Sequence, residues 1–277
     1  MGRKRAGRGD AVEAARAQGG GPVEGTWDTD TGTVRLERDP YSRDAWTVYV
    51  NGVPSSHVDL EHPERLDFEY MRWMACLLQE RWAAPSRLRA LHLGGGACSM
   101  ARWIHATHPD ARQVVVELDA RLTVLVREWF KLPAAPLLRI RPGDAGEVLP
   151  TLSEDSRDIV IRDVFAWDTT PQQLTTAAFH AQARRVLAAD GLYLLNVGDA
   201  PDRANLRAEA GALREVFAHV AAIADPAMLK GRRRGNVVLA ASDTELPLGA
   251  PLTRRLLGDA LPASAWGEAE LDAFLRR

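Results

Sequence analysis

Three consecutive glycines, Gly94-Gly95-Gly96, lie between a short strand-like segment, Leu88-Arg89-Ala90-Leu91-His92-Leu93, and a helix-like run over 100–105. Strand, glycine loop and helix in that order open a nucleotide-binding βαβ unit. Glycines let backbone approach a ligand closely, and the first turn of a helix offers unpaired N–H groups. The next strand pattern, Gln113-Val114-Val115-Val116, ends on Glu117. That places an acid roughly 20 residues beyond the glycines, a spacing that suits a carboxylate accepting hydrogen bonds from ribose hydroxyls.

The chain has 277 residues, 46% hydrophobic and 26% charged, which permits one large domain or one domain with a small extension. A net charge of −2 supplies no global basic field for nucleic acid. Two cysteines, Cys76 and Cys98, are too few for a disulfide framework or a cysteine-rich zinc site, and a reduced, cytoplasmic setting fits them. No apolar run reaches the roughly 18 residues of a membrane-spanning helix. The basic start, Met1 to Arg8, is followed by no apolar signal core, so no membrane partner is expected.

Residues 1–22 read as a disordered basic tail, or as a contact for an anionic partner through Arg3-Lys4-Arg5 and Arg8. Residues 23–85 read as a small β unit plus a connecting helix. Thr33–Glu37 and Trp46–Val50 alternate, and Asn51-Gly52 signals a tight turn. Helical spacing of Leu66, Tyr70, Trp73, Met74, Leu77 and Leu78 predicts a helix over 66–82. From 86 to 277 strand and helix patterns alternate. Strands are expected at 88–93, 113–118, 137–141, 158–163, 192–197 and 236–241. Helices are expected near 99–107, 120–130, 145–152, 171–188 and 204–219. The implied class is α/β, a mainly parallel sheet with helices on both faces, with 236–241 as an antiparallel addition and 246–277 as a C-terminal extension.

In such a sheet, ligands sit beyond the carboxyl ends of the strands. Four successive units deliver glycines or acids to that edge: Gly94–Gly96, Glu117, Asp144 within Pro142-Gly143-Asp144-Ala145, and Asp163 after Asp158–Arg162. Each acid alone could be a turn residue or a helix cap, and their joint placement favours a site. Glu117 can hold a ribose diol, and Asp144 can accept from an adenine amine. The pyrophosphate of a dinucleotide would be repelled by these carboxylates. The loop also carries Ser99 where full dinucleotide spacing has a third glycine. A nucleoside bearing a sulfonium cation suits the set better. Weaker candidates are His105 and His108 (a metal pair or exposed helix-end histidines), Arg232-Arg233-Arg234 (an anion contact or a solvated turn), Ser55, Ser56 and His57 at the pocket edge, and Trp167 as a lid or loop packing. No acid or cysteine completes a metal set around the histidines.

In order along the chain, Val50-Asn51-Gly52-Val53, Tyr70, Leu93-Gly94-Gly95-Gly96, Val116-Glu117-Leu118-Asp119, Gly143-Asp144-Ala145 and Asp163 resemble the landmarks of spermidine synthases, the polyamine aminopropyltransferases. The resemblance covers roughly residues 48–200. It implies a small N-terminal β unit followed by a Rossmann-like domain of the S-adenosylmethionine methyltransferase type. It also implies transfer of an aminopropyl group from decarboxylated S-adenosylmethionine to a small-molecule amine, without a metal, and a possible homodimer. Carried over, Gly94, Gly95, Gly96, Glu117, Asp144 and Ala145 would hold the nucleoside, Asp163 would help deprotonate the attacking ammonium, and Tyr70 and Asp168 would face the amine.

The departures fall on the amine side. Ala97 stands where the family has an Asp that contacts the donor's amine. Tyr70-Met71-Arg72 replaces Tyr-His-Glu. The compact Asp-Ser-Ser/Thr-Asp-Pro becomes Asp163-Val164-Phe165-Ala166-Trp167-Asp168. A diamine needs anionic groups near both ends, so the ligand shell reads as thinned there and retained at the nucleoside. The alternatives are methyl transfer from intact S-adenosylmethionine, or nucleoside binding without turnover.

Overall fold

The computed structural model describes residues 21–166 and 169–276. The expected tail, as far as residue 20, lies outside the described residues, as do Trp167 and Asp168.

Four strands, β1 (Gly25–Thr29), β2 (Gly32–Arg38), β3 (Ala45–Val50) and β4 (Val53–Asp59), form an antiparallel meander. Asn51 and Gly52 both take positive φ, 51° and 81°, as a two-residue turn matched to the twist of its strands requires. Alternation puts Val34, Leu36, Trp46 and Val48 in a buried layer. That layer packs against Ala101, Leu122, Val126 and Trp129 from the α/β part of the chain, where the Trp27 and Trp129 rings meet at a tilt of 53° with centroids 4.8 Å apart.

The connecting helix is α1 (Glu69–Arg81). It buries Tyr70, Met71, Trp73, Met74, Leu77 and Leu78, one stripe at helical spacing. These side chains join the core of the larger sheet, not that of the meander.

The larger sheet begins with β5 (Arg89–Leu93), α2 (Ser99–Thr107), β6 (Arg112–Glu117), α3 (Ala120–Phe130), β7 (Leu138–Pro142), α4 (Ala145–Val148) and β8 (Arg157–Arg162). It continues through α5 (Ala177–Val186), β9 (Leu187–Asp199), α6 (Ala204–Arg214), β10 (His219–Ala224), α7 (Pro226–Leu229) and β11 (Gly235–Ser242). The last elements are α8 (Ala250–Leu257), β12 (Ser264–Trp266) and α9 (Glu268–Leu275). Strand order is β12-β10-β11-β9-β8-β5-β6-β7. Strands β7, β6, β5, β8 and β9 pair in parallel, while β11, β10 and β12 add antiparallel pairings. Buried parallel strands carry near-continuous apolar runs, as Leu192–Leu195 and Ile159–Ile161 do.

All six expected strands form, and 236–241 lies antiparallel beside β9 as anticipated. Strand β10 was not anticipated. Its sequence, His219-Val220-Ala221-Ala222-Ile223-Ala224, is half alanine and has weak strand propensity. Pairing on both sides makes it a strand. The helix expected near 204–219 therefore stops at Arg214. The one expected near 171–188 splits into a 3₁₀ turn, Gln172–Leu174, and α5, because Thr176 caps a fresh start by accepting from the Phe179 amide. The helix near 145–152 shortens to α4 and a 3₁₀ turn. The C-terminal extension is integral: β12 widens the sheet, and Arg255 of α8 pairs with Glu80 of α1 at 2.5 Å. His108 is buried rather than an exposed helix-end residue, its Nδ1 accepting from the Ser86 amide, and burial lowers its pKa. Among the described residues no group of His, Cys, Asp and Glu could hold a metal, and no helix is long and apolar enough to cross a membrane.

Asp119 couples the two sheets. Its carboxylate caps α3 through the Leu122 amide at 2.8 Å and accepts from the Thr31 amide and hydroxyl at 2.9 and 2.7 Å. Burial opposes its ionisation, but hydrogen bonds from the 29–31 turn and from Leu122 outweigh that and hold its pKa below the ordinary value. A carboxylate with a depressed folded-state pKa adds stability above its unfolded pKa and loses it as pH falls through the folded value. Asp119→Ala is expected to cost about 2 kcal/mol or more at pH 7. In urea titrations that difference should shrink steadily below roughly pH 4.

Candidate functional site

The carboxyl ends of β5, β6, β7, β8 and β9 open into one hollow of about 910 Å³, within the range of small-molecule sites. Gly94–Gly96, Glu117, Asp144, Ala145, Asp163 and Tyr70 all line it.

The glycine bend is built tightly. Gly94 takes φ 88°, and a Cβ there would stand 2.1 Å from the carbonyl oxygen of Asp163. No L-side chain fits, so this position demands glycine both for its torsion and for its neighbour. Its amide donates to the Val116 carbonyl at 2.9 Å. Gly95 and Gly96 donate their amides to Glu117 Oε2 at 2.8 and 3.1 Å, and Asp119 donates its amide to Oε1 at 3.1 Å. Glu117 is therefore a brace for the loop as well as a lining group. Asp144 caps α4, with Oδ1 accepting from the Gly146 and Glu147 amides at 2.7 and 3.2 Å. The helix-cap reading and the lining reading both hold for this residue.

Asp163 follows β8 directly and is partly buried. Tyr70 donates its hydroxyl to Oδ2 at 2.8 Å, and Asn196 donates Nδ2 to Oδ1 at 3.1 Å. Desolvation raises the pKa of Asp163, with the Tyr70 and Asn196 hydrogen bonds and the Arg162 charge opposing. Burial and the Asp163 charge keep the Tyr70 phenol well above its ordinary pKa. Tyr70 belongs to the core and lines the hollow at once, its ring in the large core and its hydroxyl on the Asp163 carboxylate. A carboxylate has about four acceptor positions, so Asp163 can still take a proton or an ammonium contact.

Other groups near the loop are inert. His92 hydrogen-bonds Gln113 at 2.9 Å and burial drives its pKa to about 4, so it stays neutral. Burial, helped by the Glu117 charge, pushes the Cys98 thiol up to about 12. Ser55 and Ser56 do edge the hollow, and Ser56 Oγ accepts from the Ala97 amide at 3.0 Å. His57 instead turns to Asp39, 2.9 Å away. Within the arginine run, Arg233 pairs with Asp225 and Arg234 lines the hollow.

The departures resolve differently from one another. Ala97 is fully buried in the apolar layer beneath the meander. Met71 lines the hollow, whereas Arg72 turns away to Asp259 at 2.7 Å and to the carbonyls of Leu66 and Asp67. Asn196 went unrecognised in the sequence. Its signal is a polar residue interrupting the apolar run of a parallel strand close to its carboxyl end, the position from which sheets of this kind present ligand-facing groups.

No protein-family model matches the chain. The crystal structure of a probable spermidine synthase from Corynebacterium glutamicum superimposes with a TM-score of 0.87 at 45% identity, covering 92% of this chain and 94% of that one. The chain belongs to the spermidine synthase family. A polyamine aminopropyltransferase from Neisseria meningitidis is 30% identical over 142 residues, 51% of this chain. The chain spans about half the length of that relative, 53%. The spermidine synthase of Thermotoga maritima shares the fold, with a TM-score of 0.61 at 15% identity over 90% of this chain and 82% of that one. The α/β class read from the alternating pattern is the observed one, and so is the methyltransferase-type fold that the resemblance implied.

Gly94→Ala is expected to destabilise the fold by more than about 1 kcal/mol and to weaken methylthioadenosine binding, because the glycine bend itself must shift to relieve the clash. Thermal melts and calorimetry check the two effects.

Proposed function

We propose that this spermidine-synthase-family chain transfers an aminopropyl group from decarboxylated S-adenosylmethionine to a small amine and releases methylthioadenosine. The single observation that carries the reading is Asp163, a carboxylate held by Tyr70 and Asn196 at the junction of the glycine bend and the rest of the hollow.

The charge of the hollow supports a cationic pair of substrates. Glu117, Asp144, Asp163, Asp199 and Asp202 line it, and carboxylates attract a sulfonium and an ammonium while repelling phosphates. Glu117 holds the ribose hydroxyls while bracing the loop, and Asp144 faces the adenine amine beside Ala145. Tyr70 lines the amine side. Asp168 is the second amine contact of this reading.

In the reaction the acceptor enters as an ammonium with no free lone pair. Asp163 takes up its proton, directly or through one water. The neutral nitrogen attacks the carbon beside the sulfonium, the C–N bond forms as the C–S bond breaks, and the bonding pair leaves on sulfur as neutral methylthioadenosine. Orientation of nitrogen, carbon and sulfur in line supplies much of the acceleration. A homodimer and a cytoplasmic setting belong to the same reading.

Methyl transfer from intact S-adenosylmethionine is the weaker reading. One observation favours it: position 97 carries a buried methyl group instead of an acid. Product analysis separates the two, since aminopropyl transfer yields methylthioadenosine and methyl transfer yields S-adenosylhomocysteine. Nucleoside binding with neither product would leave a binding protein.

Asp163→Asn is expected to lower kcat by about 10² to 10⁴-fold while methylthioadenosine affinity by calorimetry stays nearly unchanged. Unchanged turnover would remove Asp163 from the mechanism. Because the base must be ionised and burial raises its pKa, the acidic limb of the kcat/KM profile should lie above the ordinary aspartate range. The Tyr70 hydroxyl favours the ionised form, so Tyr70→Phe should move that limb to still higher pH.

A further inference from the structure

Immediately before Asp163, the end of β8 carries a fully buried guanidinium, Arg162. Neighbouring residues of a strand project to opposite faces, so Arg162 points away from the hollow that Asp163 lines. It makes four contacts there, with three groups. Nη1 donates to the Leu174 carbonyl at 2.9 Å, and Nη2 donates to the Asn196 carbonyl at 3.3 Å. Both nitrogens meet the carboxylate of Glu209 on α6, at 2.7 and 3.1 Å. Glu209 is itself only 2% exposed. The Asp199 charge acts on Glu209 and the Arg162 charge on Asp163. Burial, reinforced by the Arg162 charge, drives the nearby His180 to about 3 and keeps it uncharged.

An ion pair enclosed this fully is seldom retained for stability, since apolar residues of similar volume often replace such pairs without loss. What this one does is geometric. Leu174 and Asn196, whose carbonyls Arg162 grips, both line the hollow. Asn196 is also the residue whose amide donates to Asp163. A planar fork with five donors in fixed directions sets distances among several acceptors as no aliphatic side chain can.

We propose that Arg162 and Glu209 are positioning residues that hold the ends of β8 and β9 and the 172–174 turn at the spacing at which Asn196 and Tyr70 aim the Asp163 carboxylate into the hollow. The inference rests on the transfer reading for its consequence in turnover, but not for its geometry. Neither residue touches a substrate. Their influence passes through the backbone of Asn196 and of Asp163 itself.

The test is the double variant Arg162→Met with Glu209→Leu, which removes both charges together and leaves no lone buried ion. Glu209→Gln, which keeps the volume and an acceptor, serves as a milder companion that reads the same linkage should the double variant fail to fold. In the double variant, kcat is expected to fall on the order of 10²-fold, the size of loss that small misplacement of a reacting group produces. The KM for the nucleoside donor and the calorimetric affinity for methylthioadenosine should stay unchanged, because Gly94–Gly96, Glu117 and Asp144 belong to other strands. A merely structural pair would move those binding values together with kcat. The companion is expected to show a smaller loss of kcat with the same split. Carboxyl and side-chain amide NMR of Asp163 and Asn196 gives a readout independent of turnover, and both signals should shift in each variant. Wild-type kcat, or Asp163 and Asn196 signals coincident with wild type, would overturn the proposal. Wild-type protein inactive with every amine would instead overturn the transfer reading, and the NMR comparison would still decide the positioning role.

Discussion

The carbonyl of Asp163 lies where a side chain on Gly94 would have to stand, and the rest of the site depends on that approach. Two parallel strands, β5 and β8, are brought so close at their ends that one contributes bare backbone and the other its acid. The Asp163 amide donates to the Leu93 carbonyl at 2.8 Å, which extends the β5–β8 ladder one step into the loop. The glycine bend and the Asp163 carboxylate therefore share one wall of the hollow.

Around that contact, several carboxylates have internal duties. Glu117 braces the glycine amides, Asp144 caps α4, and Asp119 joins the meander to α3. Backbone N–H groups that would otherwise lack partners at helix starts and in a tight loop are satisfied by the acids that line the hollow or border it. The acid field seen by a cation is thus held in place before any ligand arrives. Pre-set charge of this kind costs no reorganisation at the moment of reaction.

The departures from the family pattern also gain a physical meaning. Ala97 belongs to the apolar layer under the meander, and Arg72 serves the C-terminal extension through Asp259. Met71, in contrast, does line the hollow and makes that wall apolar. The departures thus lie around a Tyr70–Asp163–Asn196 cluster joined by two hydrogen bonds.

The strand–helix alternation after residue 88, the Asn51-Gly52 turn, the amphipathic stripe of α1 and the acids at successive strand ends were all legible in the sequence, because each is written in spacing along the chain. Other features were not. β10 is a strand because β11 and β12 flank it, although its own residues favour no strand. Asn196 and Arg162 interrupt apolar runs, and their partners come together only when β8, β9 and α6 assemble around them. Asp119 caps its own helix locally, and only folding brings Thr31 onto its other oxygen. Periodicity and local caps act over a few residues and leave their mark in order. Close approaches, buried ion pairs and strand neighbours join residues tens of positions apart, and only the tertiary fold decides those.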